Sequence, residues 1–86
     1  MINENESPVE WAMLLTELDD AKEHLESLIK SMTGAGIVDE SEFSVQLGHV
    51  FAHLNRAWNS RDLKGQIGEE QWAIFSTFPK DLDPVG

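Results

Sequence analysis

The chain contains three histidines, the side chains best suited to acid–base or metal chemistry near neutral pH. His49 and His53 are four residues apart, which places them on neighbouring turns of one helix face. His24 precedes a glycine-containing loop by about the distance at which the other two follow it, and Asp20 lies one turn before His24. In an antiparallel helix pair, all four side chains would lie on one flank. Such groups can bind zinc or a similar ion, so a metal site is one hypothesis and a solvated polar face is the other.

A second hypothesis concerns the six residues from Ala52 to Ala57. They resemble the phosphoacceptor helix of histidine phosphotransfer domains, in which an exposed histidine is followed three residues later by a basic residue and then by a small one. The resemblance implies that His53 is the nucleophile, that Arg56 holds the phosphoryl oxygens and that Ala57 leaves room for them. The alternative is that Arg56 pairs with Glu17 across a helical hairpin, as a surface ion pair of little energetic value.

The helices that must position these groups begin with a clear start signal at Ser7 and Pro8. Serine is a common N-cap, proline is common at the first helical position, and Glu10 can complete a capping box. The following apolar residues recur in steps of three and four, which places them on one stripe of a helix: Trp11, Leu14, Leu18, Ala21, Leu25, Leu28 and Met32. The glycine-containing residues 33–36 end the pattern, so the first helix is predicted over about 8–33.

A second helix is predicted over about 40–61. Asp39 suits its N-cap, and Gly65 lies beyond its end, where glycine favours a break in the chain. Its apolar stripe again advances in steps of four and three: Phe43, Leu47, Val50, Leu54 and Ala57.

A shorter third helix is predicted over about 69–78, where Pro79 would stop it. Its large aromatic residues are three apart: Trp72, Phe75 and Phe78. The polar residues 1–6 and the residues 80–86 are predicted to be frayed tails. The whole chain, 1–86, is therefore expected to be a single all-α domain.

The short connection between the two long helices makes them antiparallel neighbours, which predicts a helical hairpin. One register pairs their stripes throughout, with Leu18 near Ala57, Leu25 near Val50 and Met32 near Phe43. One flank of this hairpin is polar. The other flank is apolar and carries Leu15, Ile29, Phe51 and Trp58.

The third helix is too short to cover all of the apolar flank, because it would be about 15 Å long against nearly 40 Å for the first helix. We therefore expect a second copy to cover the rest, which would give a four-helix-type bundle. The alternative is a monomer closed by its own third helix. The predicted interaction surface consists of Leu15, Ile29, Phe51, Trp58, Trp72 and Phe75.

Composition excludes several classes of partner. The 86 residues include 16 acidic and 6 basic side chains, for a net charge of −10. Nucleic acids and anionic membrane surfaces are therefore not expected as partners, because both are bound through lysine and arginine. The chain has no cysteine, so disulfides and thiolate metal sites are excluded. The polar N-terminus does not resemble a signal peptide and no apolar run is long enough to span a membrane, so a cytoplasmic location is expected.

The acidic side chains concentrate on the first helix, at Asp19, Asp20, Glu23 and Glu26. Such a face usually serves solubility, and it could also contact a basic protein partner. The sequence thus predicts a small acidic helical interaction module without enzymatic activity and without a cofactor, which forms homodimers or binds a partner protein. The alternative function is metal binding or phosphotransfer by a helical bundle that uses His53.

Overall fold

Apolar residues spaced three and four apart produce two long helices, as predicted. The computed structural model describes all residues from 1 to 86 and contains three α-helices and no strand. Helix α1 extends over Pro8–Ala35, α2 over Glu40–Asn59 and α3 over Glu69–Phe75. The all-α hairpin fold is therefore confirmed, although α3 ends three residues earlier than expected. None of the helices is both long and apolar enough to cross a membrane.

The helices α1 and α2 begin where the sequence signals predict, but the predicted capping hydrogen bonds of the side chains do not form. Ser7 and Asp39 occupy the predicted N-cap positions, yet neither side chain makes a capping hydrogen bond. The carboxylate of Glu10, predicted to complete a capping box, instead accepts a 2.8 Å bond from the backbone N–H of Gly65. This bond ties the start of α1 to the loop that follows α2. At the other end of α1, Gly36 adopts the left-handed conformation, with φ of 70°.

The contact between α1 and α2 forms only a thin core. The two helices pack antiparallel, because residues near the start of α1 contact residues near the end of α2, as in the pair Glu17 and Arg56. The buried apolar positions of the pair are seven apart on each helix: Leu14, Ala21 and Leu28 on α1, and Val50 and Ala57 on α2. No large side chain is fully buried. One partner helix therefore covers only the centre of each apolar stripe.

Three residues that were expected to face α2 remain substantially exposed. The exposed fractions are 44% for Leu18, 41% for Leu25 and 37% for Met32. The predicted register assumes that one helix can cover the whole apolar stripe of α1. The stripe is wider than the surface that α2 covers, and its edge remains exposed to solvent.

Helix α3 and the residues after it cross the outer side of α2. The side chain of Asn55 donates a 3.0 Å bond to the backbone carbonyl of Ser76, and Asn59 donates to the carbonyls of Phe75 and Thr77. These bonds satisfy backbone carbonyls at the end of α3 that no helical partner reaches. Helix α3 itself therefore lies against α2. The aromatic ring of Phe78, just after α3, packs on Phe51 of the apolar flank with ring centres 5.3 Å apart, so the predicted 69–78 segment covers part of that flank.

The N-terminal residues are ordered against the hairpin, whereas the sequence predicted that 1–6 would be a frayed tail. Ile2 is buried against Leu14 and Ala57, and its N–H donates a 2.7 Å bond to the carbonyl of Arg61. The terminal ammonium group lies 2.8 Å from the carboxylate of Asp62. The segment docks because Ile2 adds buried apolar surface to a core that is otherwise small. Residues 80–86 have no regular secondary structure.

Candidate functional site

A polar network around Arg56 joins all three helices. Its Nε donates to both carboxylate oxygens of Glu17 on α1, at 3.1 and 3.0 Å. Its Nη1 donates to the hydroxyl of Ser76, just after α3, at 2.7 Å. The guanidinium group also lies 4.1 Å from the centre of the Trp72 ring, within the range of a cation–π interaction. Arg56 is only 6% exposed, so this network is an internal part of the fold.

His53 completes this network through its Nδ1 atom. That atom is 3.1 Å from a carboxylate oxygen of Glu17 and 3.0 Å from Nη2 of Arg56. A guanidinium group can only donate and a carboxylate can only accept. Nδ1 therefore accepts from Arg56 when it is unprotonated and donates to Glu17 when it is protonated. In either state the Nε2 atom of His53 makes no hydrogen bond within the chain.

The structure brings the three histidines together. The ring of His24 lies 5.0 Å from that of His49, at 7° between planes, and 5.3 Å from that of His53, at 23°. Neither His24 nor His49 makes a hydrogen bond to another protein group. Asp20, which the sequence placed on the same flank, makes no hydrogen bond or ion pair. No three His, Cys, Asp or Glu side chains are arranged as a ready-made metal site.

The arrangement around His53 differs from what a phosphoacceptor requires. The Nε, Nη1 and Nη2 atoms of Arg56 are already engaged by Glu17, Ser76 and His53. The side chain of His53 is also 15% exposed and packs against His24. The hydrogen bonds of Arg56 thus hold the helices together. A phosphoryl group would have to displace one of these bonds.

A small cleft lies beside this network, between the start of α1 and α3. Met13, Leu63, Ile67 and Trp72 give it apolar walls, while Glu10 and Glu17 contribute carboxylates. Both carboxylates already have partners, in Gly65 and Arg56 respectively. The cleft therefore offers no free charged group to a ligand.

The residues of the predicted interaction surface do not all lie together in the structure. Leu15, Ile29 and Phe51 are 45%, 55% and 43% exposed and lie on the flank of the hairpin opposite the histidines. Trp58 is half-buried, because the guanidinium of Arg61 lies 3.8 Å from its ring centre. The two aromatic residues of α3, Trp72 and Phe75, do not lie on this apolar flank, since α3 lies against the outer side of α2.

The open flank also contains residues that the predicted interaction surface does not include: Leu18, Leu25, Met32 and Leu54. The signal that could have identified them is the width of the pattern. Leu15 and Ile29 lie beside the main stripe of α1, which makes the apolar arc too wide for a single neighbouring helix.

Comparisons of this chain with protein-family models, with curated proteins and with solved structures give no match. Its function must therefore be inferred from the contacts, exposure and charge of its own residues.

Proposed function

We propose that this chain is a non-enzymatic interaction module that forms a homodimer through one apolar face. The apolar face is defined by seven residues, each between 37% and 55% exposed: Leu15, Leu18, Leu25, Ile29 and Met32 on α1, and Phe51 and Leu54 on α2. The observation that carries the proposal is that these side chains remain this exposed even though Phe78, just after α3, packs on Phe51 at one edge of the face. In the dimer, two hairpins meet face to face as a four-helix-type bundle.

Helix geometry places the seven residues on one side of the hairpin. At 3.6 residues per turn, the five residues of α1 lie within an arc of about 100°. Lys22 lies within the same arc, and its amine extends to Glu26 at the edge of the face. In an antiparallel pair, the matching flanks of both helices lie on the same side, which joins this arc to Phe51 and Leu54. The opposite side of the hairpin carries Glu17, His24 and His53, so the two sides differ sharply in polarity.

The apolar face is large for a surface that stays in water. From Leu15 to Met32 it is about 26 Å long, and two helices make it about 20 Å wide, for a footprint of roughly 500 Å². Monomeric proteins rarely expose contiguous apolar patches of more than a few hundred Å². A stable interface buries about 800 Å² on each partner, so this face can supply most of one. Burial in a dimer would also provide the dry core that the single chain lacks.

The distribution of charge favours a second copy as the occupant of this face. A chain with a net charge of −10 repels its own copies unless the acidic groups point away from the contact. Asp19 and Glu23 lie on the outer side of α1, and Glu26, at the edge of the face, is paired with Lys22 at 3.8 Å. The acidic outer side of α1 would stay exposed in the dimer, where it could receive a basic protein partner.

Light scattering coupled to size-exclusion chromatography at micromolar concentrations tests the proposal. The mass should be twice the 9.7 kDa of one chain. Ile29→Lys should give a monomer, because it places a charge in the centre of the face. Val45→Lys is the matched control: Val45 is 57% exposed, against 55% for Ile29, but lies on the outer side of α2.

Circular dichroism would establish that both variants remain helical. A wild-type chain that stays monomeric at high micromolar concentration would refute the dimer. Equal dimerisation of both lysine variants would refute the face that we assign to it.

A further inference from the structure

We propose that residues 78–82 form a strap that holds the dimer face of this chain partly closed and that a second copy must displace. This inference rests on the proposed function, because the strap regulates the same apolar face. The strap follows α3 and contacts two aromatic residues of α2, Phe51 and Trp58. Helical spacing places these two residues two turns apart on the same flank of α2.

The contacts of the strap trace its course along α2. The ring centre of Phe78 lies 5.3 Å from that of Phe51. The carboxylate of Asp81 accepts a 2.9 Å bond from the indole of Trp58 and a 3.0 Å bond from Arg61. Seven residues of helix rise about 10 Å, and three residues of extended chain span about the same distance. The strap therefore runs beside α2, on the apolar flank of the hairpin.

Two hairpins packed face to face leave no room for the strap. Neighbouring helices in a bundle have their axes about 8–10 Å apart, so their side chains interdigitate without a further layer between them. The ring of Phe78 adds such a layer on Phe51, and it is itself 68% exposed. A second copy that packs on Phe51 must therefore displace Phe78.

Release of the strap supplies interface area that the apolar face lacks. The face has a footprint of roughly 500 Å², whereas a stable interface buries about 800 Å² on each partner. A large aromatic side chain can bury about 150–250 Å². Phe51 is 43% exposed with the strap in place and Trp58 is half-buried. Uncovering both therefore provides much of the missing area.

The strap is held weakly and has a natural hinge. The side chain of Asp81 is 59% exposed, and ion pairs this exposed contribute little to stability. The apolar residues of the strap, Phe78 and Leu82, are 68% and 48% exposed, so they lose little buried surface on release. The carbonyl of Thr77 remains bonded to the side chain of Asn59, at 3.2 Å. The strap can therefore swing away after Thr77 while α3 stays in place.

Sedimentation equilibrium of the full chain tests the proposal through the dimer dissociation constant. Asp81→Ala removes the acceptor of both strap bonds and should lower this constant about threefold or more, because a larger fraction of chains is then open. Asp83→Ala is the matched control. It removes the same charge two residues away, where no bond to Trp58 or Arg61 is lost, and should have a smaller effect.

Phe78→Ala is the second variant, because it removes the ring from Phe51 without changing the charge. It should also tighten the dimer, whereas Val85→Ala, at a residue that is 99% exposed, should not. Circular dichroism would establish that all variants remain helical. A dimer that is weakened or unchanged by Asp81→Ala and Phe78→Ala would overturn the strap, since these residues would then belong to the interface or have no part in it.

A readout in the monomer separates this proposal from the dimer itself. In the Ile29→Lys background, Asp81→Ala should increase the fluorescence of Nile red, an uncharged dye that reports exposed apolar surface. The nuclear Overhauser contact between the rings of Phe51 and Phe78 should weaken at the same time. A wild-type chain that never dimerises would refute the proposed function, and this readout would still apply. No change in either signal would overturn the strap.

Discussion

Arg56 of α2 and Glu17 of α1 form a nearly buried ion pair. The guanidinium Nε donates to both carboxylate oxygens, at 3.1 and 3.0 Å, and the side chains are only 7% and 13% exposed. Because Arg56 also bonds to Ser76 and packs on Trp72, this pair connects the hairpin to α3. Buried charges are costly without their partners, so the three helices depend on one another at this point.

The first prediction concerns the removal of this arginine. Arg56→Ala leaves the carboxylate of Glu17 largely buried with no cation beside it except when His53 is protonated. Breaking a buried pair from one side costs about 3 kcal/mol, and the loss of the Trp72 contact adds to this cost. Urea denaturation followed by circular dichroism should show a correspondingly lower free energy of unfolding.

Two comparisons make that result specific. Lys22→Ala removes a pair with Glu26 in which both side chains are about two-thirds exposed, and it should cost less than about 0.5 kcal/mol. The double variant Glu17→Leu/Arg56→Leu should be less destabilised than the two single changes added together, since it leaves no charge unpaired. Equal losses for Arg56→Ala and Lys22→Ala would contradict the importance assigned to burial.

The sequence predicts the partners in this pair but not their burial. The spacing of residues along the two helices of the hairpin is enough to place Arg56 opposite Glu17. Burial depends on where α3 lies, and the loop from 60 to 68 that directs α3 has no periodic pattern. The pattern therefore predicts the pair as a surface contact and Trp72 on the apolar flank. The structure instead packs Trp72 against Arg56.

Local sequence patterns predict the helices well, but they predict poorly which segments pack against those helices. The starts of α1 and α2 follow from N-cap and spacing signals near Pro8 and Glu40. The burial of Ile2 could not be read in this way, because its contacts are with residues distant in sequence. Short polar termini usually fray, and a single apolar residue within one gives little indication that it will dock.

The second prediction tests the docking of the N-terminus. Ile2→Ala should lower the free energy of unfolding by about 2 kcal/mol, since it opens a cavity beside Leu14 and Ala57. Thermal and urea denaturation would measure the loss. Val9→Ala is the control, because Val9 is 65% exposed and its truncation should change stability by less than about 0.5 kcal/mol. If both variants are equally stable, the N-terminus does not dock as described.

The third prediction contrasts two glycines. Gly48 lies inside α2 with nothing within 4 Å of the position of an added Cβ, so Gly48→Ala should stabilise the chain by about 1 kcal/mol. Gly36 ends α1 with φ of 70°, where an alanine side chain is strained, so Gly36→Ala should destabilise it by about 1 kcal/mol. Denaturation of the two variants side by side should give shifts of opposite sign. Shifts of the same sign would mean that the end of α1 is not left-handed or that Gly48 is not free.

The last prediction concerns the behaviour of Asp81 in acid. The indole N–H of Trp58 donates to its carboxylate at 2.9 Å and Arg61 donates at 3.0 Å, and these bonds hold the pKa of Asp81 below its ordinary value of 3.8. A carboxyl group whose pKa is lower in the folded chain stabilises the fold above the ordinary value. That stabilisation is lost as the pH falls through the folded value. Asp81→Asn should therefore be less stable than wild type near pH 7, and the difference should shrink below pH 3.8.

Trp58→Phe isolates the largest cause of that shift. It removes the indole donor while keeping an aromatic ring, so an NMR titration of the Asp81 carboxyl group should show its pKa rising towards 3.8. Trp11→Phe is the matched control, since Trp11 packs beside the buried cluster at the start of α1 and makes no bond to Asp81. It should leave the titration of Asp81 unchanged. An Asp81 pKa that is the same in wild type and in Trp58→Phe would show that the indole bond does not form in solution.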